Sequence, residues 1–246
     1  MVRRSLIRTL VASGVDTCFA NPGTSEMHLV AQLAVPEMRA VLGLSSRGSS
    51  RALPTATLLH LGPGLGNGTA NLHNARRART PVVNLVSDHA IYHLHYGALL
   101  TSDIESLARN FSAWFRSSAS TTALPRYAAE AVAAALSSPG RVATLMLPAA
   151  VSWDDGAVPA APAAPLAPAQ VPDEVVARTA EALRSGEPAA LLIGGRAVRE
   201  CGLVAAHRAA AATGAKSWVR RSRRRSSGAP ACHRSTGALG SGGREM

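Results

Sequence analysis

The sequence predicts an α/β protein: a parallel sheet with helices on both faces, then an incomplete second α/β domain and a disordered basic tail. Three observations predict it. The runs "VDTCFA", "TATLLHL", "PVVNLVSD" and "RVATLMLP" are apolar almost throughout, as strands covered on both faces are. Helical segments alternate with them, which is the βαβ rhythm of a parallel sheet. After a Pro/Ala-rich stretch the alternation restarts, then loses all periodicity.

The elements follow in order. Residues 3–13 read as a helix, because Leu6, Leu10 and Val11 recur at helical spacing. Arg8 and Asp16 interrupt the apolar run that a signal peptide would need. Residues 15–20 form the first strand, ended by a sharp turn at Pro22 and Gly23. Thr24 or Ser25 then caps a helix from Glu26 to Leu33, with Glu26 near its positive end. Residues 38–44 and 55–61 are the second and third strands. A glycine-rich turn, "GPGLGNG" at 62–68, leads into a helix over 67–79. Residues 81–88 are a strand, 103–115 and 125–137 helices, and 141–148 a last strand. This first domain spans 1–155, with an anomalous crossover at 45–54. That segment is rich in Ser and Arg, and is too short to join parallel neighbours, which takes about a dozen residues or more. Residues 156–171 are a Pro/Ala linker, extended and semi-rigid. Residues 172–215 open a second α/β domain, and 216–246 read as a disordered tail.

Composition excludes several classes. No apolar run approaches the ~18 residues of a membrane helix. Cys18, Cys201 and Cys232 are far apart, without metal-ligand or redox spacing, which fits a reducing, cytoplasmic setting. The net charge of +11 is uneven: residues 216–246 hold eight cations against one anion, so +7 belongs to the tail. The tail lacks aromatic interleaving apart from Trp218, so a solvated tail, not a nucleic-acid site, is the expectation.

Ligands of an open parallel sheet bind beyond the carboxyl ends of its strands. The turns at 21–25, from 45, at 62–68 and at 88–93 all leave that end. "GPGLGNG" follows a strand and precedes a helix, so it is either a phosphate-binding turn or simply a tight strand-to-helix turn. The dinucleotide fingerprint fails, since Asn67 and Thr69 stand where the third glycine would be, and the single lysine, Lys216, rules out a Walker motif. No G-x-S-x-G elbow is present. "DHAIYHLH" offers Asp88, His89, His93 and His95, but without HExxH or a third well-spaced ligand no metal site is expected. His60 ends the third strand and projects at the ligand end; taken alone it reads as a structural histidine before a catalytic one.

Taken together, "LIRTLVASGVDTCFANPGTSEMHLV", "TATLLHLGPGLGNGTANLHNARRARTPVVNLVSDHA" and "TSDIESLAR" resemble the N-terminal domain of thiamine diphosphate enzymes of the acetolactate synthase and benzoylformate decarboxylase group. The resemblance covers 3–155 except 45–54, and continues into the opening of the central domain over 172–215. It implies a lyase or transferase acting on 2-oxo acids by decarboxylation or carboligation. The family uses thiamine diphosphate with Mg, in a homo-oligomer whose active site lies between subunits. By that match Asn21, Pro22 and Gly23 line the pyrimidine pocket, and Thr24 stands on the substrate side. His60 is the active-site histidine, a candidate proton shuttle, and Gly62, Gly64 and Asn67 let the backbone approach the cofactor.

The family's ring-activating glutamate falls at about Ser46, so it is missing. Glu26 lies near the same sheet end but does not match that position. The family's Gly-Asp-Gly and Asn-Asn pattern, which grips the metal and diphosphate, does not occur in the chain. The resemblance therefore implies at most the pyrimidine half of the cofactor site, in a truncated and inactive chain. The Ser/Arg-rich stretches at 45–54 and 216–246 ignore hydrophobic patterning; a shifted reading frame or a diverged fragment would each produce this. The other functional reading is a non-catalytic module that pairs with an intact homologue, or binds an acidic partner through its basic tail.

Overall fold

The computed structural model describes residues 2–43 and 54–219. Ser46, the rest of the 45–54 crossover except Pro54, and the arginine run at 220–225 lie outside the described residues. The chain divides into two compact units, Met1–Ala177 and Arg178–Met246.

The first unit is built on six parallel strands: β1 (Thr17–Asn21), β2 (Arg39–Leu42), β3 (Thr55–Leu59), β4 (Val82–Asp88), β5 (Trp114–Ser117) and β6 (Val142–Pro148). Their order is β2-β1-β3-β4-β6-β5. Helix α1 (Val2–Ala12) precedes them, and α2 (Met27–Val30), α3 (Leu61–Ala78), α4 (Ile104–Arg109), α5 (Leu124–Leu136) and α6 (Ala149–Ser152) connect or follow them. Apolar residues alternate between the two faces of the sheet. Leu58, Leu85 and Leu145 pack with Leu6, Leu10, Leu124 and Val132 of α1 and α5. Leu59, Val86 and Val142 pack with Leu65, Leu72, Ile104 and Ala108 of α3 and α4. Both faces are thus buried, which is why the strand sequences are apolar throughout. One polar row crosses this interior. Thr57, Asn84 and Thr144 stand in register on β3, β4 and β6, and Asn84 bonds both threonine hydroxyls, at 2.6 and 3.0 Å.

Several expectations change. The second and third strands are not neighbours: each pairs with β1, which lies between them. The glycine-rich stretch is not a turn. It forms the first turns of α3, which begins at Leu61 rather than 67. Glycine weakens a helix by about 1 kcal/mol relative to alanine, but here the small residues allow close packing. A Cβ at Gly62 would lie 2.0 Å from the Ser102 hydroxyl, and one at Gly68 2.9 Å from a Leu59 methyl. The helix expected over 103–115 stops at Arg109, and the edge strand β5 follows.

The linker is not free chain where it leaves the sheet. Ser5 donates to the Ala157 carbonyl at 2.8 Å, and the Ala160 N–H donates to the Thr9 hydroxyl at 3.0 Å. Helix α7 (Asp173–Arg184) follows it and runs into the second unit. There β7 (Ala190–Ile193) and β8 (Lys216–Val219) form a parallel pair, joined through α8 (Glu200–Thr213). Residues 216–219, expected to be disordered, are therefore a strand. Neither α7 nor α8 has a buried residue, and Leu192 and Trp218 are exposed.

Candidate functional site

The carboxyl ends of β1, β3 and β4 lie side by side because the sheet is parallel and β3 sits between the other two. From β1 the chain enters the turn Asn21-Pro22-Gly23 and a 3-10 segment, Thr24–Glu26. The turn is tied to β3, since the His60 N–H donates to the Asn21 carbonyl at 3.2 Å. Asn21, Pro22, Gly23 and His60 are half-buried, and Thr24 is exposed.

Glu26, which did not match the family position, is the centre of this end of the sheet. It is fully buried. One carboxylate oxygen accepts from the Gly23 N–H at 2.7 Å. The Ser87 hydroxyl, on the last turn of β4, donates to the other oxygen. His60 Nδ1 lies 2.9 and 3.1 Å from the two oxygens. The His60 ring rests on the backbone of Gly23, where a Cβ would come within 2.5 Å of it. Next to His60, Leu61 is held at φ 49°, in the left-handed region, and its N–H donates to the Ser87 hydroxyl at 3.2 Å. A non-glycine residue in that region is strained and persists where its surroundings hold it. The sequence places Glu26 near this sheet end but off the family position, and it does not single out Ser87; their partners lie too far along the chain for a local pattern to show them.

The remaining expected site residues divide. Gly64 is buried, 3.3 Å from His60 Cβ by its missing Cβ, and Gly62 is buried under Ser102. Both sit against protein, which accounts for their lack of side chains. Asn67 is exposed on α3. Asp88 ends β4; its carboxyl is pushed up by burial, against a lowering from the His89 N–H. His89, half-buried just after β4, and His93, on the exposed 3-10 segment Ile91–Tyr96, have ring centroids 5.8 Å apart. Among the described residues no group of three His, Cys, Asp or Glu side chains is gathered to hold a metal. Trp153, after α6, closes over the first turn: its indole N–H donates to the Ser25 carbonyl at 3.2 Å, and its ring stacks on His28 at 4.3 Å.

These residues match thiamine diphosphate only in part. The half-buried turn 21–23 and the partly exposed His60 side chain place polar groups together at this end of the sheet. The acid that would face the ring is not among the described residues, because the Glu26 oxygens are already taken by three donors and its side chain has no exposure. As a catalytic site the described residues do not fit the cofactor, and no step is derived through it.

The described helices include none long and apolar enough to cross a membrane. The family description "Thiamine pyrophosphate enzyme, N-terminal TPP binding domain" matches residues 1–108. A Mycobacterium tuberculosis protein named as a candidate acetolactate synthase large subunit, IlvX, is 52% identical over 226 residues. That alignment takes in 88% of this chain and 43% of the relative, so the chain spans less than half the relative's length. Among solved structures, a thiamine diphosphate-dependent 4-hydroxybenzoylformate decarboxylase from Rhodococcus jostii shares the fold with a TM-score of 0.76 at 21% identity, covering 89% of this chain and 44% of that one. A candidate thiamin diphosphate-dependent enzyme from Mycobacterium smegmatis does so with a TM-score of 0.75 at 22% identity, over the same shares. Residues 1–108 are therefore an N-terminal domain of the thiamine pyrophosphate enzyme family, and the chain resembles acetolactate synthase large subunits over that part and beyond.

Proposed function

We propose that this chain carries the pyrimidine-binding half of a thiamine diphosphate enzyme whose relatives act on 2-oxo acids, and that it does not complete catalysis alone. The observation that supports this best is the convergence of Asn21–Thr24, Glu26, His60 and Ser87 at the carboxyl ends of three adjacent strands. The exposed part of the His60 side chain, 20%, is the group placed to exchange a proton with a bound molecule, and Thr24 is exposed at the end of the adjoining turn. Asn21, Pro22 and Gly23 form the wall for the ring. Gly64 brings α3 against His60 and Gly62 brings it against Ser102, so they shape this end of the sheet through packing.

The position where the family carries its glutamate is serine in this sequence, and a proton-transfer group is typically worth ~10² to 10⁴ in rate. The family's diphosphate and Mg pattern is also lacking in these 246 residues. The chain alone should therefore release no thiamine-dependent carbon dioxide from pyruvate or benzoylformate. Carbon dioxide release that disappears when the cofactor is removed would overturn this reading.

A second reading is a module that pairs with an intact homologue or with another copy of itself. It is favoured by the segment after β4, where Tyr92, Tyr96 and Leu99 are exposed at 73%, 69% and 87%. Large apolar side chains gathered on one surface mark an interaction site more often than a bare exterior. Co-purification with a full-length synthase subunit, lost in Tyr92→Ser/Leu99→Ser, supports this reading; no association at micromolar concentration rejects it.

A further inference from the structure

We infer that Glu26 is a positioning residue for His60: it holds the imidazole with its proton on Nδ1 and leaves Nε2 as the atom that exchanges protons. The direction of every bond around the carboxylate leads to this. Ser87 Oγ accepts from the Leu61 N–H, and its one proton goes to Glu26, the nearer of its two acceptors, the Leu59 carbonyl lying 3.4 Å away. The Gly23 N–H can only donate, and it reaches the other oxygen. A carboxylate facing two fixed donors is an acceptor for the third group as well. His60 Nδ1, within 3.1 Å of both oxygens, therefore carries the hydrogen. Both charge states of the ring keep that hydrogen, and they differ only at Nε2.

The ring has no room to turn. Its face lies against Gly23, within 2.6 Å of where a Cβ would sit, and its Cβ packs against Gly64. Glu26 has no exposure, whereas the His60 side chain keeps 20%. The carboxylate is therefore sealed behind the ring and does not reach a ligand. It acts only through the histidine, whose tautomer is set by the bond its other nitrogen makes. This arrangement spans three elements: the turn after β1, the end of β3 and the end of β4. That Nε2 serves a molecule bound in the turn rests on the function proposed above; the tautomer itself does not.

The test is imidazole nitrogen NMR on the full chain labelled with 15N-histidine, without ligand, using His60→Gln to assign the resonance. The expected result is a neutral His60 with a protonated, slowly exchanging Nδ1 and a pyridine-like Nε2. In Glu26→Leu the ratio of Nδ1–H to Nε2–H forms should fall about tenfold or more, as expected on losing a hydrogen bond to a charged acceptor. A wild-type His60 protonated on Nε2 alone overturns the inference. So does a folded Glu26→Leu with an unchanged ratio. If Glu26→Leu fails to fold, rapid exchange of the wild-type Nδ1 proton with water overturns it, and slow exchange supports it. None of these outcomes depends on cofactor binding, so a failure here is separate from a failure of the proposed function.

Discussion

Replacing Gly23 with alanine should damage the site without touching any hydrogen-bonding atom. The Gly23 backbone is extended, at φ −115°, so alanine is conformationally acceptable there. The obstacle is space: the new methyl would lie 2.5–2.6 Å from three His60 ring atoms. Ordinary carbon contacts begin near 3.5 Å, so the ring must move by about 1 Å. His60 cannot yield freely, because Nδ1 is held 2.9 Å from Glu26. A 1 Å retreat breaks that bond and leaves a buried carboxylate short of a donor. The cost should be about 1–3 kcal/mol, or roughly 1 M in the urea midpoint at an ordinary denaturant slope. Gly66→Ala is the control. It sits in α3 with no atom within 4 Å of the added carbon, and should stabilise the chain by up to about 1 kcal/mol. Equal urea midpoints for wild type and Gly23→Ala, with the His60 nitrogen spectrum unchanged, would refute this reasoning.

Three further predictions concern the scaffold. Asn84→Ala should destabilise the first unit by about 2–4 kcal/mol in urea unfolding, because it leaves the Thr57 and Thr144 hydroxyls without their shared partner inside the sheet; Asn84→Ala with a wild-type midpoint would contradict the buried row. Burial pushes the Cys18 thiol up from 9.0 to about 12. The unfolded chain then loses that proton first, so stability is complete below pH 9 and falls as pH rises, by up to about 1.4 kcal/mol per unit. Cys18→Ala should lack this fall, and parallel pH profiles for the two proteins between pH 8 and 11 would reject the assignment. At the start of α4, the side-chain hydroxyl and backbone N–H of Ser106 bond to Asp103 and hold its carboxyl below the usual range. Its contribution is therefore present above the ordinary carboxylate pKa and lost as pH falls through the lowered value; a pH-independent difference between wild type and Asp103→Ala would sink this.

Much of the sheet was legible because β3, β4 and β6 are buried on both faces and carry long apolar runs. The edge strand β5 was not. Three of its four residues are half-buried and Ser117 is exposed, too few and too polar to declare a period against the helix before it. The start of α3 was hidden for the opposite reason. Glycines argue for a turn by propensity, and only the approach of Ser102, His60 and Leu59 shows that tertiary packing outweighs that preference. Strand β8 follows a helix and precedes an arginine run, so its KSWV sequence lacked the flanking signals of a strand. In the site, His60 and the 21–24 turn could be found by resemblance to the family. Glu26 could not, because nothing local distinguishes it from an acidic residue stabilising a helix start. Its role comes from two partners 34 and 61 residues away, a distance over which sequence periodicity carries no information.

On the function proposed above, the turn after β1 and His60 hold the pyrimidine half of thiamine diphosphate, without the parts that anchor its other half. A backbone NMR titration with thiamine diphosphate, and separately with thiamine, each with and without Mg, tests it most directly. Both molecules should shift the amides of Asn21, Gly23, Thr24 and His60 alike, with Mg making no difference. Shifts confined elsewhere, or tight binding that needs the diphosphate and Mg, would contradict it.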